Sequence, residues 1–213
     1  MKNIIVVGFG GFGREVAWLA KDCGYNVLGF LDDEALVGEQ GGQQILGAVD
    51  RWVDFPNAEF VVAIGSPRIR KMVVDKMLFS GTPAFATLIH PSVIMSGSVI
   101  VGSGSVICAG CVLTVDVEVL EHVIINLNVT VGHDCFIGSL VTIAPMVAIS
   151  GSVNISSGVE VGTGASIRQG IQLGKGAMLG MGGVLTRDAE ENYIYVGSPA
   201  KVLKKLPGLS GEI

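Results

Sequence analysis

Aliphatic residues recur at every sixth position from Ile89 to Leu185. The series runs Ile89, Met95, Val101, Ile107, Leu113, Val119, Ile125, Val131, Ile137, Ile143, Ile149, Ile155, Val161, Ile167, Leu173, Leu179, Leu185. It stops at Pro83 one step before and at Glu191 one step after. A helix repeats near 3.6 residues and a plain strand at 2, so neither yields six. A hexapeptide period predicts a parallel β-helix. The first hexad position points inward. The fifth is small or β-branched (Val93, Cys111, Cys135, Val153, Ala177) and reads as a second inward position with little room. The fourth is often Gly, Asn or Asp, as at Gly104, Asp116, Asn128, Asp134 and Gly158. Those residues tolerate the positive φ of a sharp corner. Three hexads per coil and a climb of ~4.8 Å per coil predict a prism about 25 Å tall.

Ahead of the prism the pattern changes. Ile4–Val7 reads as a buried strand and Arg14–Cys23 as a helix with Val16, Leu19, Ala20 and Cys23 on one face. Asn26–Leu31 is a second strand, residues 34–45 a Gly/Gln-rich loop, and Ala48–Val53 a short helix. Phe60–Ile64 is a third strand. A helix over Arg68–Phe79 follows, with Ser66 as N-cap and Pro67 at its first position. The predicted fold class is therefore an α/β half-Rossmann domain over residues 1–86, then a β-helix over 87–213. The tail reads as a strand at Tyr193–Val196 and a capping helix or turn over Pro199–Lys205.

Gly8, Gly10 and Gly13 form G-x-G-x-x-G between strand and helix, with Asp32 about 20 residues on. Taken alone this predicts a dinucleotide. The parallel sheet stops near residue 85, however, so the second mononucleotide half is missing. What the motif retains is a phosphate-binding helix N-terminus at Gly10, Gly11 and Phe12. Asp32 and Asp33 end the second strand, where a carboxylate can accept from a ribose hydroxyl or a base N–H, and Gly65 leaves room beside them. A nucleotide or nucleotide-sugar is the expected ligand.

Composition narrows the function further. Charged residues make up 15 % of the chain, Gly accounts for 31 of 213 residues, and net charge is −5 with no basic block. Nucleic-acid binding is not expected. The apolar runs are strand-sized, so neither a membrane span nor a signal peptide is expected. The four cysteines read as reduced, cytoplasmic core residues, the Cys108-Ala-Gly-Cys111 pair included. His133 occupies the third position of its hexad, at a corner, with Asp134 next to it. A histidine can take a proton near neutral pH, and an adjacent carboxylate can hold its tautomer.

The segments Val7-Gly-Phe-Gly-Gly-Phe-Gly-Arg-Glu-Val16, Phe30-Leu-Asp-Asp33, Ala63-Ile-Gly65 with Ile69-Arg-Lys71, Ile89-His-Pro-Ser92, Gly132-His-Asp-Cys135 and Val196-Gly-Ser-Pro-Ala-Lys201 carry a resemblance over nearly the whole chain. It is similar to the hexapeptide-repeat acyltransferases, in particular the bacterial nucleotide-sugar N-acetyltransferases and the related sialic acid O-acetyltransferases. That resemblance implies a left-handed β-helix. It also implies transfer of acetyl from acetyl-CoA to the amino group of a UDP- or dTDP-linked 4-amino-4,6-dideoxy sugar, for surface glycan synthesis. His133 would be the proton acceptor with Asp134 its partner. Gly151, Thr163 and Met181 would contact acetyl-CoA, as would Thr142, which replaces a second histidine. Asn128 would help hold the substrate, and Phe12 replaces a histidine beside the sugar. The resemblance further implies a homotrimer with the site between subunits. Two alternatives stay open: O-acetylation of a sialic acid or another sugar hydroxyl, and a non-catalytic nucleotide-sugar-binding protein. The repeat also resembles β-helical carbonic anhydrases, but histidine spacings of 32 and 11 residues do not fit their ligands, and no metal is expected.

Overall fold

The computed structural model describes residues 1–209. The last four residues of the predicted 87–213 unit lie outside that range. The amino-terminal part holds β1 (Asn3–Val7), α1 (Gly11–Asp22), β2 (Asn26–Leu31), β3 (Gly38–Gln40), β4 (Gln43–Gly47), a 3₁₀ turn (Val49–Asp54), β5 (Glu59–Val62) and α2 (Pro67–Phe79). Its sheet has the order β3-β4-β2-β1-β5. All neighbours are parallel except β3 and β4, which form a hairpin. Ile4, Ile5, Val6 and Val7 are fully buried, as a parallel strand covered on both faces requires.

Four sequence expectations need correction here. Residues 34–45 are not a plain loop: they carry β3 and the start of β4. Gly41 and Gly42 both have positive φ (56° and 74°), which suits a two-residue turn between polar strands. Helix α1 starts at Gly11 instead of Arg14, inside the glycine motif. Ser66 precedes α2 but makes no side-chain capping bond. Finally, Lys201–Lys205 is a strand, not a helix or turn, and pairs antiparallel with Tyr193–Val196.

From Leu88 the chain winds as a prism of two-residue strands on three faces. Ile94 pairs with Val112 and Val112 with Thr130, so stacked positions are eighteen residues apart. The hexad rule holds in detail. First- and fifth-position residues such as Ile125, Val129, Ile143, Val147, Val161 and Ala165 fill one continuous core. The fourth position has positive φ throughout from Gly104 to Gly182, even where it is His122, Leu140 or Met146. Non-glycine residues held there carry a local cost, which the two flanking ladder strands must offset.

The three faces differ in what covers them. Outward residues of the first face, Leu88, Val106 and Ile124, are buried in one cluster with Val16, Ala20 and Phe30 of the amino-terminal sheet and helix. The second face presents Ile94, Val112, Thr130, Ala148, Ser166 and Val184. The third presents Ile100, Glu118, Phe136, Asn154 and Gln172. The amino-terminal domain thus sits on the first face alone. Among the described residues the four cysteines are free, and no helix is long and apolar enough to cross a membrane.

His122 sits at a buried corner where the third face meets the first. Its Nδ1 has no hydrogen-bond partner, and its ring stands edge-on to Phe85 at 4.5 Å between centroids. Burial, with a smaller push from Arg70, lowers its pKa to about 4. The unfolded histidine titrates near 6.5, so the folded form resists protonation. Stability is intact above pH ~6.5 and falls as pH drops from there towards ~4, by a few kcal/mol at most. Substituting His122→Phe is expected to flatten that acid limb in denaturant titrations at pH 4 to 7. An unchanged limb would mean other groups cause it.

Candidate active site

His133 and Asp134 occupy the corner where the second face turns into the third. The strand Thr130–Val131 ends just before them and Phe136–Ile137 begins just after. Asp134 takes the left-handed corner conformation at φ 57°. That turn brings its Oδ2 to 2.6 Å from His133 Nδ1. With Nδ1–H donated to the carboxylate, Nε2 is left as the acceptor. Both side chains are more than half exposed. One coil above, Gly151 lies against the ring: a Cβ there would stand 2.5 Å from Nε2. A side chain at 151 would therefore displace the imidazole, so glycine is what lets the ring lie where it does.

Asn128, Thr163 and Met181 lie on a different corner, between the first and second faces, and all three are exposed. Met181 is 78 % exposed. These residues and His133 therefore bound the second face from its two edges and do not meet within one chain. Thr142 belongs to neither group. It is on the first face and buried, its hydroxyl donating to the Gly65 carbonyl at 2.7 Å while accepting from Arg70 at 2.9 Å. A hydroxyl so engaged has no proton left for a coenzyme, so the expected acetyl-CoA contact is corrected to an interdomain one.

A cleft opens at the carboxyl ends of the amino-terminal strands. Gly8, Asp32, Asp33 and Glu34 line one side, and Ile64, Ile69 and Met72 the other. Gly8 has φ 105° and turns the chain sharply after β1. The first amides of α1 at Gly11 and Phe12 have no intrahelical acceptor, the usual state of a helix start. Phe12 is only half-buried and packs on the apolar layer between α1 and the prism. Asp32 accepts from the amides of Phe9 (2.7 Å), Glu34 (2.8 Å) and Ala35 (3.0 Å). Asp33 accepts from the Val49 amide and from Lys76 Nζ, both at 2.8 Å, and these contacts hold its pKa low against the opposing effect of burial. The two carboxylates shape the cleft first; any ligand contact uses their remaining lone pairs. Gly65 is exposed, with nothing within 4 Å of a Cβ.

One residue went unread for what it does. Arg70 shares the buried face of α2 with Pro67, Lys71, Val74 and Met77, and is 1 % exposed. Burial brings its pKa down to about 9 against the opposing pull of Glu160. The signal was available: an arginine at an apolar-face position of an amphipathic helix needs buried acceptors.

The family description PglD N-terminal domain matches residues 3–77, and Hexapeptide repeat of succinyl-transferase matches residues 92–115 and 153–187. The acetyltransferase domain of PglB from Neisseria gonorrhoeae FA1090 superposes with TM-score 0.89 at 33 % identity, covering 95 % of this chain and 100 % of that one. This chain belongs to the hexapeptide-repeat sugar acetyltransferases. Family membership fixes the hand of the prism as left-handed. PerB from Caulobacter crescentus, solved with CoA and GDP-perosamine, superposes equally well (TM-score 0.89, 28 % identity, covering 96 % and 98 %). The PglB domain has also been solved in complex with acetyl coenzyme A. A curated relative, UDP-N-acetylbacillosamine N-acetyltransferase of Bacillus subtilis (strain 168), is 31 % identical over 103 residues. That match spans 46 % of this chain and about half (47 %) of the relative.

Proposed function

We propose that this acetyltransferase moves the acetyl group of acetyl-CoA to the amino group of a nucleotide-linked 4-amino-4,6-dideoxy sugar. The observation that carries the reading is the His133–Asp134 pair, with Nδ1 held by the carboxylate, Nε2 left as acceptor and both side chains more than half exposed. The amine attacks the thioester carbonyl, Nε2 takes the amine proton, and the carbon–sulfur bond breaks, releasing CoA as a thiolate that recovers a proton from the imidazolium. Asp134 steadies the ring throughout. The cleft at Gly8, Asp32 and Ile64 would hold the nucleotide. The ligands named for PerB and the PglB domain support both halves of this assignment.

The active species is a homotrimer in this reading. The amino-terminal domain sits on the first face, whereas His133 is on the corner farthest from it. A sugar held in one chain's cleft is therefore directed to the His133 of a neighbouring copy. The second face, with its small and apolar outward residues, would pack between subunits and join the Thr163–Met181 corner of one copy to the His133 corner of the next. Closed threefold symmetry then makes three equal sites. A cytoplasmic location belongs to the same reading, supported by acetyl-CoA as donor and by the free cysteines among the described residues.

The test is turnover of acetyl-CoA with a panel of UDP-, dTDP- and GDP-linked amino sugars, followed by thiol release and by mass of the product. Acetylation of the amine is expected with at least one acceptor. No turnover with any of them defeats the reading, and O-acetylation as the sole product replaces it. Light scattering at assay concentration is expected to give a trimer; an active monomer rules out the shared site.

A further inference from the structure

We infer that Arg70 is a positioning residue: its guanidinium holds the β5–α2 turn, one wall of the nucleotide cleft, in fixed register with the prism. The inference rests on the acetyltransferase reading above. Nε donates to the His122 carbonyl at 3.0 Å. Nη1 donates to the carbonyls of Ile64 and Gly65. Nη2 donates to the carbonyls of Leu140 (2.7 Å) and Val141 (3.2 Å) and to Thr142 Oγ1 (2.9 Å). The Thr142 hydroxyl closes the circuit by donating to the Gly65 carbonyl at 2.7 Å. All five N–H donors of the arginine are thereby used.

The partners are what make this a register device. His122 and Leu140 are stacked corners of successive coils, both with positive φ (55° and 62°). Ile64 lines the nucleotide cleft, and Gly65 is the next residue along the turn. One side chain thus ties two coils of the prism to the wall of the cleft. Among the described residues no carboxylate bonds it directly. A buried charge is expensive to desolvate, and an apolar residue of similar volume often serves stability equally well. Stability alone therefore gives little reason for an arginine here. Geometry does, because its planar fork fixes several acceptors at once. Lysine has three donors on a single atom and cannot span both domains. A displacement of about 1 Å between bound sugar and base costs on the order of 10²-fold in rate.

The experiment uses the full chain with acetyl-CoA and the best acceptor from the panel above. Arg70→Lys is expected to lower kcat by about 10- to 100-fold. The KM for acetyl-CoA should stay within about twofold and the shape of the kcat–pH profile should not change, because the catalytic pair is untouched. Thr142→Val removes one arm and is expected to cost about three- to tenfold, the usual worth of a hydrogen bond. Thr142→Ser keeps that arm and should restore near-normal kcat. If Arg70→Lys does not fold, the valine–serine pair decides. Equal kcat values for those two variants, or wild-type kcat in a folded Arg70→Lys, overturn the inference alone. A wild type that turns over no acceptor sinks the acetyltransferase reading, and the inference with it.

Discussion

His133→Ala is expected to lower kcat by about two to four orders of magnitude, the usual worth of a positioned base. The loss follows from the geometry of one corner. Nδ1 is committed to Asp134 at 2.6 Å, so Nε2 alone can take a proton from an incoming amine. Gly151 stands against the ring and leaves it no side chain to lean on, so the pair itself sets its orientation. Alanine removes the acceptor and puts nothing in its place. Binding of acetyl-CoA should barely change, since the substitution leaves the expected coenzyme residues Gly151, Thr163 and Met181 unaltered. The signature is a fall in kcat with KM for acetyl-CoA within about twofold, which marks a group that acts only on the way to the transition state. Asp134→Asn should lose less, because the ring stays and only its support is weakened. Steady-state kinetics with the acceptor saturating measure both. More than a tenth of wild-type turnover in the alanine variant would remove His133 from the role.

The prism was legible in the sequence because its rule is local and repeated. An inward aliphatic residue every sixth position and a corner residue three places later leave one arrangement for the coil, and each hexad restates it. His133 was legible for the same reason: its hexad phase fixed it at a corner before any coordinates did. Where single instances decide, the pattern failed. The β3–β4 hairpin is Gly, Glu and Gln from Gly38 to Gln44, residues that carry little strand propensity; its register comes from the Gly41-Gly42 turn and from β2 beside it. Lys201–Lys205 alternates weakly and is exposed along its length, so only its partner Tyr193–Val196 makes it a strand. Thr142 shows the limit most clearly. Its place in the family pattern implied the coenzyme, yet its hydroxyl is taken by Gly65 and Arg70, a contact between residues more than seventy positions apart. Nothing in the local sequence announces a contact at that separation.

Gly13→Ala is expected to empty the nucleotide cleft while leaving the prism intact. Gly13 is buried in the first turn of α1, directly over the turn that ends β1. A Cβ there would stand 2.0 Å from the Gly8 carbonyl oxygen and 3.0 Å from its carbon. Both are backbone atoms, which cannot rotate away as a side-chain tip would. Gly8 has no room to retreat either, since a Cβ on its far side would already meet Ala63 O and Ile64 Cγ1 at 3.1 Å. The strain must then go into α1 or into the turn. Lifting α1 unpacks Val16, Ala17 and Ala20 from the sheet; moving the turn breaks the 2.7 Å bond from the Phe9 amide to Asp32. Either way the amides of Gly10 and Gly11 lose their aim. Overpacking of this kind costs about 1–3 kcal/mol, felt in the amino-terminal domain and in the layer where α1 meets Leu88, Val106 and Ile124 of the prism. The KM for the nucleotide-sugar should rise at least about tenfold, equivalent to 1.4 kcal/mol of lost binding, with KM for acetyl-CoA near its wild-type value. Gly10→Ala controls for folding only: nothing lies within 4 Å of its added methyl and its φ is −64°, so the fold should accept it. Kinetics with each substrate varied in turn, together with hydrogen exchange over residues 4–31, separate the two variants. A Gly13→Ala protein that binds the nucleotide-sugar like the wild type would show that the helix N-terminus plays no part in holding it.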